Sequence, residues 1–149
     1  DKTKANGKAR YNLIVTIDVL EHVEDYTKVL HNFHRLLRKD GFLYIHVPQP
    51  HQKRIFRSLR QWHHEDHVRE GISKEVLKKT LKKIGYEVIV SRETFGFFGK
   101  LAWELNHFML SRSFMLAGIT FPFLYVLAIV DELWNNKKGL GVAILAKKI

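Results

Sequence analysis

The sequence predicts an α/β domain built around parallel strands. Residues 11–18, YNLIVTID, form a β-branched apolar run that is typical of a strand covered on both faces. An amphipathic helical pattern follows from Tyr26, and the segment FLYIHVPQP predicts a second strand over residues 42–50. Strand, helix and strand in this order make a βαβ unit. Its two strands should run parallel and be joined by a right-handed crossover.

The first helix and the second strand carry their own boundary signals. Asp25 is suited to the N-cap of the helix, and Gly41 to the position just beyond its last turn. Pro48 and Pro50 end the strand that follows. One stripe of the helix is apolar: Tyr26, Val29, Leu30, Phe33, Leu36 and Leu37.

A second amphipathic helix is predicted over residues 73–85, with Ser73 as its cap and Gly85 at its end. Its lysines should form a solvated outer face. Four apolar residues should face the core: Val76, Leu77, Leu81 and Ile84. A third strand is predicted over residues 86–94 and a fourth over residues 139–148.

An apolar insert, residues 97–134, separates the last two predicted strands. Its stretch 114–130 holds 17 residues without a charge, which is at the short end for a membrane span. If both flanking strands belong to one sheet, a single span would place them on opposite sides of the bilayer. We therefore expect a helical hairpin. It either caps the domain, or makes a dimer contact, or lies in a membrane interface, with a true membrane span as the remaining alternative.

Composition limits the possible environments of the protein. The chain of 149 residues has a net charge of +10 and no cysteine, which fits a reducing, cytoplasmic compartment and excludes a disulfide framework. Residues 1–10 are polar and basic, are predicted to be a linker, and show no secretory signal. The positive charge favours anionic partners, whether nucleic acid, phosphorylated ligands or acidic lipid headgroups.

A long polar loop, residues 51–71, contains four of the nine histidines. His63 and His67 have the i, i+4 spacing of metal ligands, but no third ligand is specified, so we predict no metal site. A mobile lid over a substrate is the preferred interpretation of this loop. His46 lies within a predicted strand and is interpreted as a core residue.

Three ionisable residues, Asp18, Glu21 and His22, follow directly after the first strand. Ligands in open α/β sheets bind beyond the carboxyl ends of the parallel strands, which here are residues 16–19 and 47–50. The polar cluster is therefore predicted to border a ligand site, with His22 able to accept a proton.

The segment YNLIVTIDVLEHVEDYTKVLHNFHRLLRKDGFLYIHVP resembles the second half of class I S-adenosylmethionine-dependent methyltransferases. The resemblance is to the methyltransferase type 11 group, which includes the ubiquinone-biosynthesis O-methyltransferases. The DVLEHV block carries most of it, and the likeness continues through residues 64–105 and the last strand. Asn12 stands where the family usually has Asp, and Asp40-Gly41 stands where it has Gly-Gly.

The resemblance implies the C-terminal half of a Rossmann-like seven-stranded sheet, strands four to seven, with a helical insert before the last strand. That last strand would be antiparallel and inserted between strands five and six. The Gly-rich turn and the ribose-binding acid of the missing first half have no counterpart here. The chain is therefore expected to be part of a longer enzyme, inactive alone.

The resemblance also assigns site residues. It implies that S-adenosylmethionine lies against the end of the first strand, at Thr16, Ile17, Asp18 and Val19. Glu21 and His22 are the candidate catalytic pair.

The predicted function is methyl transfer to a small-molecule or lipid-like acceptor by in-line displacement. The alternatives are a basic nucleic-acid-binding module, which lacks a recognised motif, and a non-catalytic membrane-associated domain. An anionic membrane surface is a possible partner through residues 97–134 and nearby basic residues.

Overall fold

The computed structural model describes residues 9–56, 68–134 and 138–149. In chain order the elements are β1 (Tyr11–Ile17), a 3₁₀ turn (Leu20–His22), α1 (Tyr26–Leu36), β2 (Leu37–Pro48), α2 (Lys74–Ile84), β3 (Tyr86–Thr94), α3 (Phe97–Arg112), α4 (Phe114–Leu133) and β4 (Gly141–Lys148). They divide into two compact units. Of the described residues, the sheet unit comprises 9–50, 68–92 and 142–149, and the hairpin unit comprises 51–56, 93–134 and 138–141.

The four strands form one sheet in the order β1-β2-β4-β3. β1 and β2 are parallel, with Leu13 opposite Phe42 and Ile17 opposite His46. This confirms the predicted βαβ unit. It also brings the residues that follow the two strands to the same edge of the sheet.

β4 lies between β2 and β3 and runs against β3. The backbone N–H of Ile149, just past β4, donates to the carbonyl of Gly85, just before β3, at 3.1 Å. At the opposite ends, the N–H of Leu140 donates to the carbonyl of Phe95 at 3.0 Å. The last strand is therefore antiparallel to β3 and inserted between strands that precede it in the chain, as the resemblance implied.

Most of the predicted helix boundaries are confirmed by capping contacts. The Asp25 carboxylate accepts from the N–H of Lys28 at 2.9 Å at the start of α1. The Ser73 hydroxyl accepts from the N–H of Val76 at the start of α2. Gly85 ends α2 in the left-handed region, with φ of 107°, where a Cβ would be strained.

Two predictions about helix details are wrong. α1 ends at Leu36 and the chain is extended by Leu37, so the left-handed residue is Asp40, with φ of 61°, and Gly41 is not the C′ residue. Gly41 instead allows the backbone to pass close to Arg38, since a Cβ at this position would lie 2.9 Å from the Arg38 carbonyl oxygen. Val76 does not face the core: it is exposed, because Leu77 and Leu81 take the inner face of α2.

The core of the sheet unit lies between the sheet and the helices α1 and α2. Its central members come from β2, β4 and both helices: Leu30, Leu43, Ile45, Leu77, Leu81, Tyr86, Val142 and Ile144. β1 departs from the prediction of burial on both faces. Alternate side chains on one of its faces are about half exposed: Tyr11, Leu13, Val15 and Ile17.

The hairpin unit is built on the antiparallel pair α3 and α4, as the insert predicted. Two carboxylates are buried within it. Glu104 accepts from the N–H groups of Ile55 and Phe56 at 2.8–2.9 Å, and Asp131 accepts from the N–H of Gly96 at 2.9 Å. In the described ranges α4 is the one helix long and apolar enough, by length and composition alone, to cross a membrane.

Some predictions fall outside the described residues. They concern most of the linker, residues 1–8, and the central part of the long polar loop, residues 57–67, with His63, His64 and His67.

Candidate active site

The carboxyl ends of β1 and β2 meet at a polar cluster. Asp18, the first residue after β1, adopts φ of 50°, a left-handed conformation that Asp tolerates better than most residues. Its carboxylate oxygen Oδ1 lies 2.8 Å from the imidazole Nδ1 of His46 on β2. Its backbone N–H donates to the carbonyl of His46 at 3.0 Å. Side chain and backbone together fix Asp18 at the edge of the sheet.

Glu21 lies beneath this edge in the 3₁₀ turn, with only 1% of its surface exposed. Burial raises the pKa of its carboxyl, and the negative charge of Asp18 raises that pKa further, while the backbone N–H and the nearby His22 and His46 oppose the shift. Its Oε2 has no hydrogen-bond partner among the described residues. The cluster therefore contains a buried acid that takes up a proton more readily than an exposed glutamate.

The structure places the other predicted site residues on different sides of the strand end. Ile17, Val19 and His22 are exposed, so they are open to a ligand. Thr16 is 5% exposed, and its hydroxyl finds no partner among the described residues. The prediction that Thr16, Ile17, Asp18 and Val19 bind the cofactor, and that Glu21 and His22 are catalytic, stays a prediction.

Arg69 holds the turn that carries Glu21 and His22. Its guanidinium donates to three backbone carbonyls of the segment after β1, those of Leu20 at 2.7 Å, Val23 at 2.5 Å and Glu24 at 2.7 Å. The same guanidinium lies 5.1 Å from the centre of the Tyr26 ring. An arginine is suited to holding this turn, because the five N–H donors of its planar guanidinium can reach several carbonyls at once.

The chain around Arg69 adds two further contacts to the turn. The N–H groups of Val68 and Arg69 donate to the carbonyl of Glu21 at 3.1 and 3.3 Å. Just beyond, the N–H of Ile72 donates to the carbonyl of Pro48 at the end of β2. Residues 68–72 therefore bind both strand ends and position them relative to each other.

Sequence reasoning missed His46 and Arg69 as site residues. Sequence reasoning interprets His46 as a core residue, and its side chain is only 13% exposed; what it misses is that this imidazole is the partner of Asp18. Parallel pairing places His46 beside the end of β1, opposite Ile17, but no local sequence pattern specifies this register. Arg69 carried no local signal either, because its partners lie some 45 residues earlier in the chain.

The residues at this edge suit a cofactor with both apolar and polar parts. Ile17 and Val19, the neighbours of Asp18 in the chain, offer exposed apolar surface, and the Asp18 carboxylate can accept hydrogen bonds from hydroxyl or amino groups. No cluster of three or more His, Cys, Asp or Glu side chains suited to a metal occurs among the residues that the structure describes.

Comparison with solved structures identifies the fold. The chain is similar to an S-adenosylmethionine-dependent methyltransferase from Archaeoglobus fulgidus, with a TM-score of 0.56 and 17% identity over 95% of this chain and 61% of the other. It is also similar to a phosphoethanolamine N-methyltransferase from Haemonchus contortus, solved with phosphomonomethylethanolamine and S-adenosylhomocysteine. There the TM-score is 0.56, with 14% identity over 95% of this chain and 34% of the other.

A third similar structure is the [4+2]-cyclase SpnF, with a TM-score of 0.54 and 14% identity over 95% of this chain and 52% of that one. The chain thus spans less than two thirds of each of these three structures. These likenesses show the α/β fold of the methyltransferases. A comparison with curated proteins finds no match.

A family profile described as "Methyltransferase domain" matches residues 1–91, more than half of the chain. The chain therefore belongs to the methyltransferase-domain family. The matched region contains β1, β2 and the Asp18 cluster, and it ends before the helical hairpin.

Proposed function

We propose that the chain is the C-terminal part of an S-adenosylmethionine-dependent methyltransferase. The observation that carries this proposal is the polar cluster of Asp18, Glu21, His22 and His46 at the joined ends of two parallel strands, within a region that matches the methyltransferase-domain family. In open α/β sheets this is the edge where ligands bind.

Three observations support a longer enzyme. β1 is an edge strand of the described sheet, although its β-branched sequence is that of a central strand. One face of β1 leaves four large apolar side chains half exposed, which an isolated edge strand rarely does. The chain also spans only 34–61% of the three solved structures described above. Further strands beside β1 and helices on its open face would cover this surface.

The bound cofactor would supply an electrophilic methyl group on a sulfonium sulfur. Ile17 and Val19 would pack against its apolar parts, and Asp18, held by His46, would accept its hydrogen bonds. Because the displacement needs the donor, the methyl group and the acceptor in line, positioning supplies most of the rate enhancement. The strand ends and the clamp by Arg69 provide that rigidity.

An oxygen or nitrogen acceptor must also lose a proton as the new bond to carbon forms and the sulfur–carbon bond breaks. The exposed imidazole of His22 is the proposed proton acceptor, because it lies at the ligand edge and an imidazole nitrogen can accept a proton. Glu21, buried beside it, would orient the turn and balance the positive charge that His22 gains. The acceptor is proposed to be a small or lipid-like molecule.

Cofactor binding tests the first part of the proposal. In the complete protein, Asp18→Asn should weaken S-adenosylhomocysteine binding in calorimetry about tenfold, or about 1.4 kcal/mol. Asp40→Asn is the matched control, since Asp40 is also exposed and left-handed but lies at the opposite end of the sheet. Equal affinities for both variants would contradict the site assignment.

Turnover tests the second part. His22→Ala should lower methyl transfer from radiolabelled cofactor by about 10²-fold or more, while affinity for S-adenosylhomocysteine stays unchanged. His31→Ala, an exposed histidine on α1, should leave turnover intact. A [4+2]-cyclase shares this fold, so the fold alone does not determine the reaction. Tight cofactor binding without methyl transfer to any acceptor would support the proposed cofactor site and contradict the proposed methyl transfer.

A further inference from the structure

Among the residues that the structure describes, nothing packs against most of the circumference of α4. In its most apolar 18-residue window only 17% of the residues are buried. The buried and half-buried positions form a narrow seam with alternating spacings of three and four residues: Ala117, Thr120, Leu124, Leu127 and Asp131. The other faces expose large apolar side chains, among them Phe114, Met115, Ile119, Phe123, Val126 and Leu133. A helix that is apolar all round is stable only when something apolar surrounds it.

Polar side chains are few in the apolar part of α4, and Thr120 is satisfied within the helix. Between residues 114 and 130 the only polar side chains are Thr120 and Tyr125. The Thr120 hydroxyl donates within its own helix, to the carbonyls of Leu116 at 3.0 Å and Ala117 at 3.2 Å. Such internal satisfaction is required where no water can serve as a partner. Gly118 and Pro122, which weaken helices in water, are common in helices surrounded by lipid.

The charges of the hairpin unit complement an anionic surface. Its described acids number four, and two of them, Glu104 and Asp131, are buried against backbone N–H groups. The remaining acids are Glu93 and Glu132, against five basic residues: Lys53, Arg54, Lys100, Arg112 and Lys138. Over the described residues of this unit, the charge outside the two buried carboxylates is therefore positive, as expected for contact with acidic headgroups.

The connections of the hairpin determine how it can meet a bilayer. The chain entering and the chain leaving the hairpin are bonded to each other, because the N–H of Gly139 donates to the Glu93 carboxylate at 2.8 Å and that of Leu140 to Phe95. A single crossing by α4, about 30 Å long at 1.5 Å per residue, would separate these partners. α3 is a poor second span, since it carries Lys100 and Glu104.

We propose that the α3–α4 hairpin binds the interface of an anionic lipid bilayer, with α4 immersed among the acyl chains and its axis along the membrane plane. A second copy of the chain or a further segment of the complete protein would cover a flat patch of α4. Neither of these partners would cover all the apolar side chains of α4, which are exposed on every side except the narrow seam of residues 117–131. The proposal is independent of the reaction proposed above, because it needs neither cofactor nor acceptor.

Vesicle flotation of the complete protein tests this proposal. The protein should float with vesicles of phosphatidylcholine mixed with phosphatidylglycerol, and less with phosphatidylcholine alone. High salt should reduce the difference between the two. The triple variant Met115→Gln, Ile119→Gln, Val126→Gln removes apolar side chains from one exposed face of α4. It should lower the vesicle-bound fraction at least tenfold, with an unchanged circular dichroism spectrum.

A matched control removes equally apolar side chains elsewhere. Val76→Gln, Ile89→Gln and Val90→Gln alter positions on α2 and β3 that are each 48% exposed, and flotation should stay as in the unaltered protein. Equal loss in both triple variants would overturn the proposal. So would sedimentation in which the unaltered protein is a dimer, the α4 variant is a monomer and neither floats, since a second copy would then be the occupant.

Discussion

Asp18 is bound to His46 twice, through its carboxylate at 2.8 Å from the imidazole and through its backbone N–H at 3.0 Å from the carbonyl. The two residues are 28 positions apart, yet the parallel register of β1 and β2 makes them neighbours. This relationship joins the two strand ends where the cofactor is proposed to lie. It also presents the Asp18 carboxylate, which remains 55% exposed, to the ligand side.

A double-mutant cycle measures how much the Asp18–His46 contact stabilises the fold. Because Asp18 is largely exposed, we expect a coupling free energy of about 0.5 kcal/mol between Asp18→Asn and His46→Gln in urea unfolding. The same pair of variants should show a larger coupling free energy in S-adenosylhomocysteine affinity. One variant removes the Asp18 carboxylate, and the other removes the imidazole that holds this carboxylate in place. Strictly additive effects in both measurements would show that the contact has no energetic role.

The buried carboxyl of Glu21 predicts a stability that depends on pH. Burial raises its folded-state pKa above the ordinary value of 4.5. Below pH 4.5 this carboxyl is protonated in both the folded and the unfolded state, so it does not change the free energy of unfolding. As the pH rises from 4.5 through the folded pKa, the unfolded chain releases its proton first, and the free energy of unfolding decreases.

Glu21→Gln removes this titration while keeping the size of the side chain. Thermal unfolding should therefore find the variant close to the unaltered protein at pH 4 and more stable than it at pH 7. Glu24→Gln is the control, because it makes the same chemical change at an exposed position nearby. A Glu21→Gln variant that loses its advantage as the pH rises would contradict the assigned burial effect.

Arg69 predicts a coupling between stability and the site. Arg69→Lys should cost about 2 kcal/mol of unfolding free energy, because a single ammonium cannot serve the carbonyls of Leu20, Val23 and Glu24 together. It should also weaken S-adenosylhomocysteine binding by loosening the turn. Arg38→Lys removes only an exposed 3.4 Å contact with Asn12 and should cost less than about 0.5 kcal/mol in urea unfolding. Similar losses of unfolding free energy in the two variants would show that the hydrogen bonds from Arg69 to the three carbonyls do not stabilise the turn.

The local features of the fold could be predicted from the sequence because each depends on a few neighbouring residues. Asp25, Ser73 and Gly85 mark helix ends through contacts within one turn, and the βαβ unit follows from periodicity alone. Gly41 shows the limit of this approach. A glycine after a helix usually marks its end, but here Asp40 takes the left-handed position and Gly41 serves a close approach to the backbone.

The site was predictable only in part for a related reason. Asp18, Glu21 and His22 are adjacent in sequence, so their cluster could be found there. His46 and Arg69 join that cluster through strand register and a long return of the chain, which no local pattern specifies. The position of β4 between β2 and β3 likewise came from the resemblance, since local patterns do not determine strand order.

The last prediction concerns Gly71, where residues 68–72 pass close to the end of β2. A Cβ at Gly71 would lie 2.3 Å from the carbonyl oxygen of Pro48, a backbone atom that cannot move without disturbing the bond from Ile72. Gly71→Ala should therefore destabilise the protein by about 3 kcal/mol in urea unfolding and should weaken S-adenosylhomocysteine binding. Gly118→Ala on α4 is the control, because no atom lies within 4 Å of its added Cβ, and it should be neutral or stabilising by up to about 1 kcal/mol. Equal stability of the Gly71→Ala variant and the unaltered protein would mean that residues 68–72 do not press against β2, and the site would then lack the support that holds its two strand ends together.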